Sequence, residues 1–161
     1  MIERKIKSLS QLKKTISLLK SKGKRIVFTN GCFDILHYGH AKYLEEARKK
    51  GDILVVAVNS DSSARRLKGS RRPVVRERER LRLVSALESV DFVTVFSEAT
   101  PIKLITSLKP DVLVKGSDWK NGNIVGKEFV ESYRGKVLTI PYVSGLSSSN
   151  LIKKIAQNFS R

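Results

Sequence analysis

Both histidines of this 161-residue chain lie in one short segment, as His37 and His40. The segment reads N-G-C-F-D-I-L-H-Y-G-H and follows a short apolar stretch. Backbone N–H groups in a glycine-containing loop, together with a helix N-terminus, form a ready site for an anion. Two imidazoles three residues apart at the start of a helix can face the same phosphate, and Gly39 lets the backbone approach closely. The segment therefore predicts a phosphate-binding site.

The elements that must position this segment alternate between strands and helices. Apolar stretches predict five strands, at 25–29, 53–58, 92–96, 112–114 and 137–140. Helical spacing of apolar residues predicts helices at 40–50, 77–87, 101–108 and 148–158, the third capped by Thr100. This alternation is typical of a doubly wound α/β domain with a five-stranded parallel sheet. Ligands of such domains bind beyond the carboxyl ends of the strands.

An additional amphipathic helix is predicted before the first strand. Its apolar positions recur every three or four residues and follow a capping serine at position 8 or 10: Ile6, Leu9, Leu12, Ile16 and Leu19. Gly23 ends the pattern. We expect residues 1–161 to form a single domain, with the helix of residues 1–23 packed on it.

The charge of the chain predicts an anionic partner. There are 32 Lys and Arg residues against 15 Asp and Glu, a formal net charge of +17 at pH 7. Nine basic residues and one acidic residue fall within 1–25, and nine basic and two acidic residues fall within 65–82. Charge alone does not separate nucleic acid, an anionic surface and a small phosphorylated molecule. For residues 1–25, an anionic surface and a solvated face both remain open.

Cysteine usage and hydropathy predict a cytoplasmic protein without membrane insertion. Cys32 is the single cysteine, which fits a reducing compartment. No apolar stretch approaches 18 residues. A dinucleotide oxidoreductase and a P-loop enzyme are disfavoured because neither glycine-rich motif occurs. A zinc site of Cys32, His37 and His40 lacks a fourth ligand at suitable spacing.

Several motifs together resemble the Rossmann-like nucleotidyltransferases of the cytidylyltransferase-like superfamily, whose core pattern is H-x-G-H. The resemblance is closest to the adenylyltransferase domains of ADP-heptose synthases and covers roughly residues 9–158. The motifs that carry it are T-N-G-C-F-D-I-L-H-Y-G-H-A-K-Y-L-E-E-A, V-N-S-D-S-S-A-R-R-L-K-G, R-P-V, A-L-E-S-V-D, T-P-I-K-L-I-T-S-L-K-P-D-V-L-V-K-G-S-D and I-P-Y-V-S-G-L-S-S-S-N-L-I-K-K-I.

The resemblance implies transfer of AMP from ATP to heptose 1-phosphate, giving ADP-heptose for lipopolysaccharide or another surface polysaccharide. It also implies a homodimer, no nucleic-acid partner, and Mg²⁺ bound through the triphosphate rather than by protein side chains. The alternative is a cytidylyltransferase that uses CTP on glycerol 3-phosphate or a related small phosphorylated acceptor. That alternative stays open because Gly116-Ser117-Asp118-Trp119 and Ser147-Ser148-Ser149 replace the G-G-D-Y and S-T-T usual in heptose enzymes.

Roles for particular residues follow from the same resemblance. Catalytic roles are implied for His37, His40 and Lys68, the last of which is expected in the loop after the second strand. Nucleotide contacts are implied for the two histidines and for Cys32, Phe33, Asp118, Ser147, Ser148 and Ser149. Weaker substrate contacts are Asp34, Lys115 and Arg80, although Asp34 could equally hold its loop. Arg71, Arg72 and Arg80 are also weak candidates for the triphosphate, the alternative being solvated side chains or pairs with Glu77 and Glu79.

A non-enzymatic nucleic-acid binder is the alternative from a different class. The net charge is compatible with it, and H-x-G-H also occurs in class I aminoacyl-tRNA synthetases. Residues 146–150 lack the lysines of the second signature of those synthetases. Nucleic-acid affinity that falls steeply with salt and survives loss of His37 would distinguish a binder from a nucleotidyltransferase.

Overall fold

The computed structural model describes residues 2–117 and 124–159, which contain one five-stranded parallel sheet. The strands are β1 (Ile26–Gly31), β2 (Ile53–Asn59), β3 (Phe92–Phe96), β4 (Val112–Gly116) and β5 (Lys136–Ile140), in the order β3-β2-β1-β4-β5. The predicted α/β class and all five strands are confirmed. β1 and β4 each run two residues beyond the predicted end, because Asn30, Gly31, Lys115 and Gly116 continue the ladder without contributing to an apolar pattern.

Eight helices surround the sheet within the described residues: α1 (Ile2–Lys5), α2 (Leu9–Ser21), α3 (Tyr38–Arg48), α4 (Asp61–Lys68), α5 (Glu77–Ala86), α6 (Ile102–Leu108), α7 (Lys127–Ser132) and α8 (Ser148–Phe159). The sequence did not predict α1, α4 and α7, which have at most eight residues and are mostly polar. Pro101, not Thr100, directly precedes α6. In 2–117 and 124–159 no helix combines the length and apolar character needed to cross a bilayer.

The sheet is buried on both faces, as its nearly continuous apolar strands predict. On one face, Val27, Leu54 and Val56 pack with Leu44 of α3 and Val84 of α5. On the other face, the alternate strand residues pack against α2 and α6: Ile26, Phe28 and Val55 with Leu12, Ile16, Leu104 and Ile105. This two-layer cover fixes the strands, so the loops at their carboxyl ends project from a rigid base.

The predicted N-terminal helix is confirmed over Leu9–Ser21 as α2, which packs on the sheet, but Ile6 is not part of it and instead forms an isolated parallel bridge with Val93. Ser8 and Gln11 form a capping box, in which the Ser8 hydroxyl accepts from the Gln11 N–H and the Gln11 amide oxygen accepts from the Ser8 N–H. Leu12 is fully buried and Ile16 is 2% exposed, whereas Leu18 on the outer face is 58% exposed. The buried positions are those that the three-to-four spacing predicts.

The strand order reverses between β1 and β4. The chain passes from β1 outward to β2 and β3, and then crosses back to place β4 on the other side of β1. At such a reversal the loops that leave the two neighbouring strands run in opposite directions, which leaves an opening at their carboxyl ends. The loop that leads to the H-x-G-H motif begins directly after β1, and His37 and His40 line this opening.

We predict that Leu12→Ala lowers the free energy of unfolding by about 2–5 kcal/mol, the usual cost of a cavity at a buried leucine. Leu18→Ala is the matched control and should change it by less than about 0.5 kcal/mol because Leu18 is mainly exposed. Urea unfolding of the three proteins measures both values. Equal effects of the two substitutions would contradict the packing of α2 on the sheet.

Candidate active site

A cleft of about 630 Å³ lies at the carboxyl ends of β1 and β4. Its volume falls in the range of about 300–1,000 Å³ that is usual for small-molecule sites. Most of the residues proposed from the sequence line it: Cys32, Phe33, Asp34, His37, His40, Lys68, Lys115, Ser147, Ser148 and Ser149. Arg80 does not line it, and Asp118 lies outside the described residues. The fold therefore gathers four separate parts of the chain around one opening.

The loop between β1 and α3 holds a strained conformation at Phe33. This residue has a φ of +46°, which is uncommon for a residue other than glycine. Gly31 accommodates the Phe33 ring, since a Cβ at Gly31 would lie only 3.0 Å from it. The ring in turn meets His40 edge-on, with the ring centroids 5.3 Å apart. Phe33 thus packs against the His40 ring.

The two histidines stack on each other at the start of α3. Their ring centroids are 3.8 Å apart and their planes differ by 25°. Gly39 makes room for His37, because a Cβ at Gly39 would lie 3.0 Å from the imidazole. The Nδ1 atoms of His37 and His40 are buried and have no hydrogen-bond partner. Buried polar atoms without partners are rare and costly, so this pair is a candidate for contact with a ligand.

Burial keeps both imidazoles neutral at physiological pH. It lowers the pKa of His37, and burial together with nearby His37 and Lys68 lowers the pKa of His40 to about 4. Desolvation and neighbouring positive charge both disfavour the imidazolium. A bound polyanion acts in the opposite direction and favours protonation. The charge of the histidine pair therefore depends on whether the cleft holds an anion.

The serines before and within α8 have three different contacts. The Ser147 hydroxyl accepts from the Asn150 N–H at 3.0 Å, which is a simple N-cap. The Ser148 hydroxyl is buried and donates to the Ile35 carbonyl at 3.1 Å. The Ser149 hydroxyl accepts from Arg72 Nη1 at 3.4 Å. Ser148 therefore fastens α8 to the histidine loop, while Ser147 and Ser149 keep their own protons for another acceptor.

Asp34 holds its loop, which is one of the two roles that the sequence left open. Its carboxylate is 2% exposed and accepts from Arg72 Nε at 2.6 Å. It also accepts from the N–H groups of Val74 and Val75 at 2.8 and 2.9 Å. Because these three donors occupy both oxygens, the carboxylate joins residues 72–75 to the histidine loop. This geometry favours the loop-holding role over contact with the acceptor.

Arg80 is not placed as the sequence suggested. Its side chain is fully buried and does not line the cleft, so it has no contact with solvent in this arrangement. Its acceptors are three backbone carbonyls and one carboxylate: Val75 O, Cys32 O, Asn59 O and Asp61 Oδ1, at 2.6–2.8 Å. The expected pairs with Glu77 and Glu79 are absent at Arg80, whose charge is balanced by Asp61. Arg80 therefore anchors the loops that follow β1 and β2.

The two candidate lysines occupy different environments. Lys68 is the last residue of α4, not a loop residue, and its exposed side chain borders the cleft. Lys115 is 7% exposed and donates to the side-chain oxygen of Asn30, across the gap between β4 and β1. Lys68 is therefore free to follow a ligand, whereas Lys115 is held at the floor of the opening.

Tyr142 forms part of the cleft wall that the sequence had not indicated. Its ring lies directly on Gly116, where any Cβ would overlap it. The ring of Tyr43 lies 5.8 Å away, and the Tyr43 hydroxyl is 2.7 Å from Thr29 Oγ1 in the core. Tyr142 is 47% exposed. The only signal in the sequence was an aromatic residue shortly before the serine cluster.

We predict that the free energy of unfolding decreases as the pH falls from 6.5 towards 4. Above pH 6.5 the His40 ring is neutral in both states. Between these values the unfolded chain binds a proton that folded His40, with its pKa of about 4, does not bind. Urea unfolding from pH 7.5 to 4.5 measures the loss, which should be smaller in His40→Asn. The same loss in both proteins would contradict a buried neutral His40.

Curated proteins are similar in sequence to nearly the whole of this chain. The "bifunctional protein HldE" of Geotalea uraniireducens is 54% identical over 151 residues, which is 94% of this chain and 31% of that protein. HldE of Trichlorobacter lovleyi is 50% identical over 97% of this chain and 32% of its own length. The chain spans about a third of the length of these curated relatives.

A solved structure and a family pattern match as well. The structure is that of the lipopolysaccharide core biosynthesis protein from Thermoplasma volcanium GSS1, with a TM-score of 0.63 and 36% identity. The match covers 75% of this chain and 98% of that one. The cytidylyltransferase-like family pattern matches residues 28–155, from within β1 to within α8. The chain therefore belongs to the cytidylyltransferase-like family of nucleotidyltransferases.

Proposed function

We propose that the protein transfers AMP from ATP to heptose 1-phosphate and so makes ADP-heptose for lipopolysaccharide or another surface polysaccharide. The observation that carries the proposal is the stacked pair His37 and His40, with two buried ring nitrogens that lack partners at the opening of the sheet. Family membership supports the reaction type. The resemblance to ADP-heptose synthases and the similarity to HldE proteins over nearly the whole chain support the two substrates.

The reaction needs no general base from the protein. A sugar phosphate is already a dianion above its second pKa of about 6. One of its oxygens attacks the α-phosphorus of ATP, the bond from that phosphorus to the bridging oxygen breaks, and pyrophosphate leaves. The protein must therefore align two anions and stabilise the charge that develops on the phosphates. A cleft lined by imidazoles, hydroxyl groups and an exposed lysine is suited to that task.

In the proposed complex, the imidazole rings of His37 and His40 contact the α-phosphate. The polyanion offsets the desolvation that lowers their pKa values, so binding draws a proton to the pair. The backbone of Cys32 and Phe33 lies along the nucleotide. Burial raises the pKa of the Cys32 thiol, which disfavours any role as a nucleophile.

The triphosphate extends towards α8 in this proposal. Ser147 and Ser149 have hydroxyl protons to donate to its oxygens, and the first N–H groups of α8 add favourable dipoles. Lys68 reaches the same oxygens from the end of α4. Asp118 is proposed beside the nucleotide on family resemblance alone. Ser148 contributes by fastening α8 to the histidine loop.

Mg²⁺ is proposed to enter with the triphosphate. Among residues 2–117 and 124–159 there is no group of three His, Cys, Asp or Glu side chains that could hold a metal ion. The cleft instead offers hydrogen-bond donors and a cation, which complement phosphate oxygens that carry their own Mg²⁺. The ion supplies partial neutralisation of the triphosphate charge.

A second candidate is a cytidylyltransferase that acts on glycerol 3-phosphate or a similar acceptor. The family pattern is cytidylyltransferase-like, and a Trp follows Asp118 in the sequence. The chemistry at the phosphates is the same, so the two candidates differ only in base and acceptor.

As part of the main proposal, residues 1–161 form one domain, two copies form a homodimer, and the enzyme works in the cytoplasm, where ATP is available.

We predict pyrophosphate release with ATP and heptose 1-phosphate in an assay that crosses ATP and CTP against heptose 1-phosphate and glycerol 3-phosphate. His37→Ala and His40→Ala should each lower kcat/KM by about 10²–10³, as loss of one positioned donor does. Circular dichroism checks that both variants fold. Preference for CTP and glycerol 3-phosphate would establish the second candidate, and a lack of pyrophosphate release with every pair would contradict both candidates.

A further inference from the structure

Arg72 connects two parts of the cleft that are far apart in sequence. Its Nε donates to Asp34 Oδ2 at 2.6 Å, in the histidine loop. Its Nη1 donates to Ser149 Oγ at 3.4 Å, in the first turn of α8. The guanidinium thus bridges the loop after β1 and the helix after β5.

The bridge is enclosed and directional. The side chain of Arg72 is 12% exposed and that of Asp34 is 2% exposed, so solvent screens their attraction only weakly. The planar guanidinium can satisfy two acceptors in different directions at once, which a lysine ammonium on a flexible stem does less well. Its third nitrogen, Nη2, is buried without a hydrogen-bond partner. Arg72 is therefore held by its two contacts and has little freedom to turn.

The contact with Arg72 determines how Ser149 presents its hydroxyl. An oxygen that accepts from a guanidinium N–H points its lone pair at the cation, and its own proton must then point elsewhere. The neighbouring positive charge also polarises the O–H group, which strengthens its hydrogen bond to an anion. Ser148 differs, because its proton is already donated to Ile35 O. Of these two serines, only Ser149 is oriented as a donor towards a ligand.

Arg72 also closes the turn that follows α4. Its N–H donates to the Gly69 carbonyl at 3.1 Å, directly after Lys68. Asp34 binds the next residues through Val74 N and Val75 N. The position of the segment that carries Lys68 therefore depends on the Arg72–Asp34 pair.

From these contacts we infer that Arg72 is a positioning residue for the nucleotide: it orients the Ser149 hydroxyl, and holds the Lys68 segment, for the phosphates of the NTP. The inference rests on the proposed function of the cleft. Arg72 acts through Ser149 and its loop and makes no contact with the reacting atoms. Its loss therefore weakens nucleotide binding and leaves recognition of the sugar phosphate unchanged.

The test compares Arg72→Lys with Arg82→Lys. Arg82 is a matched control because its Nε also donates to a carboxylate, Glu3 Oε1 at 2.8 Å, but on the exposed surface away from the cleft. Calorimetry measures the Kd of the non-hydrolysable analogue α,β-methylene-ATP with Mg²⁺. Arg72→Lys should raise this Kd about tenfold, the equivalent of one charge-assisted hydrogen bond. Arg82→Lys should leave it unchanged.

A double-mutant cycle with Ser149→Ala separates positioning from a general structural effect. Ser149→Ala should also raise the Kd about tenfold, and Arg72→Lys should raise it by much less than tenfold in that background, because the Ser149 donor is already lost and only the position of the Lys68 segment is left to change. Ser149→Thr, which keeps a hydroxyl, should restore most of the affinity. Turnover should show a raised KM for ATP with an unchanged KM for heptose 1-phosphate.

Two results would overturn the inference. One is an unchanged Kd in Arg72→Lys; the other is a double variant whose Kd rises by the full product of the two single increases. If Arg72→Lys does not fold, Ser149→Ala decides alone, since it removes no buried charge, and an unchanged Kd then overturns the inference. Binding of the analogue is measured without an acceptor. A wild-type protein that binds it but releases no pyrophosphate would refute the proposed function and leave the role of Arg72 testable.

Discussion

The reversal of strand order between β1 and β4 is the constraint on which the rest of the site depends. A parallel sheet with the order β3-β2-β1-β4-β5 must send its crossovers in opposite directions from that pair of strands. The opening that results receives the histidine loop from β1, Lys115 from β4 and the serine cluster that follows β5. Lys115 reaches across it to Asn30, so the two strands are joined where they end. Without this reversal the same side chains would lie on separate loops with no common cleft.

Two buried ions turn that opening into a defined shape. Arg80 donates hydrogen bonds to carbonyls at the ends of β1 and β2, and Asp34 accepts hydrogen bonds from the N–H groups of residues 74 and 75. Buried charges are costly unless they are well paired, and here each is paired and hydrogen-bonded. The stability that these pairs contribute is local: they fix loops rather than the core. The stacked histidines therefore lie in a loop whose position is fixed, although two of their ring nitrogens have no hydrogen-bond partner.

The fold and the gathering of most candidate residues around one cleft could be predicted from the sequence, whereas several contacts could not. Apolar runs mark strands because burial on both faces leaves a strong pattern, and the spacing of Leu12 and Ile16 marks α2 in the same way. The helix α4 carries no such pattern, so Lys68 was expected in a loop. Arg80 was expected near substrate or solvent. Its burial could not be predicted, because its acceptors are mostly backbone carbonyls, which leave no pattern in a sequence. Tyr142 was missed because its place depends on Gly116, 26 residues earlier.

The chemistry proposed for the cleft depends on one contact, between the paired imidazoles and the α-phosphate. A crystal structure with Mg²⁺ and α,β-methylene-ATP tests it most directly. The nucleotide should lie between the histidine loop and α8, with His37 or His40 within hydrogen-bond distance, about 2.7–3.2 Å, of an α-phosphate oxygen. A nucleotide bound in the cleft with both imidazoles away from every phosphate, or bound elsewhere on the protein, would contradict the account.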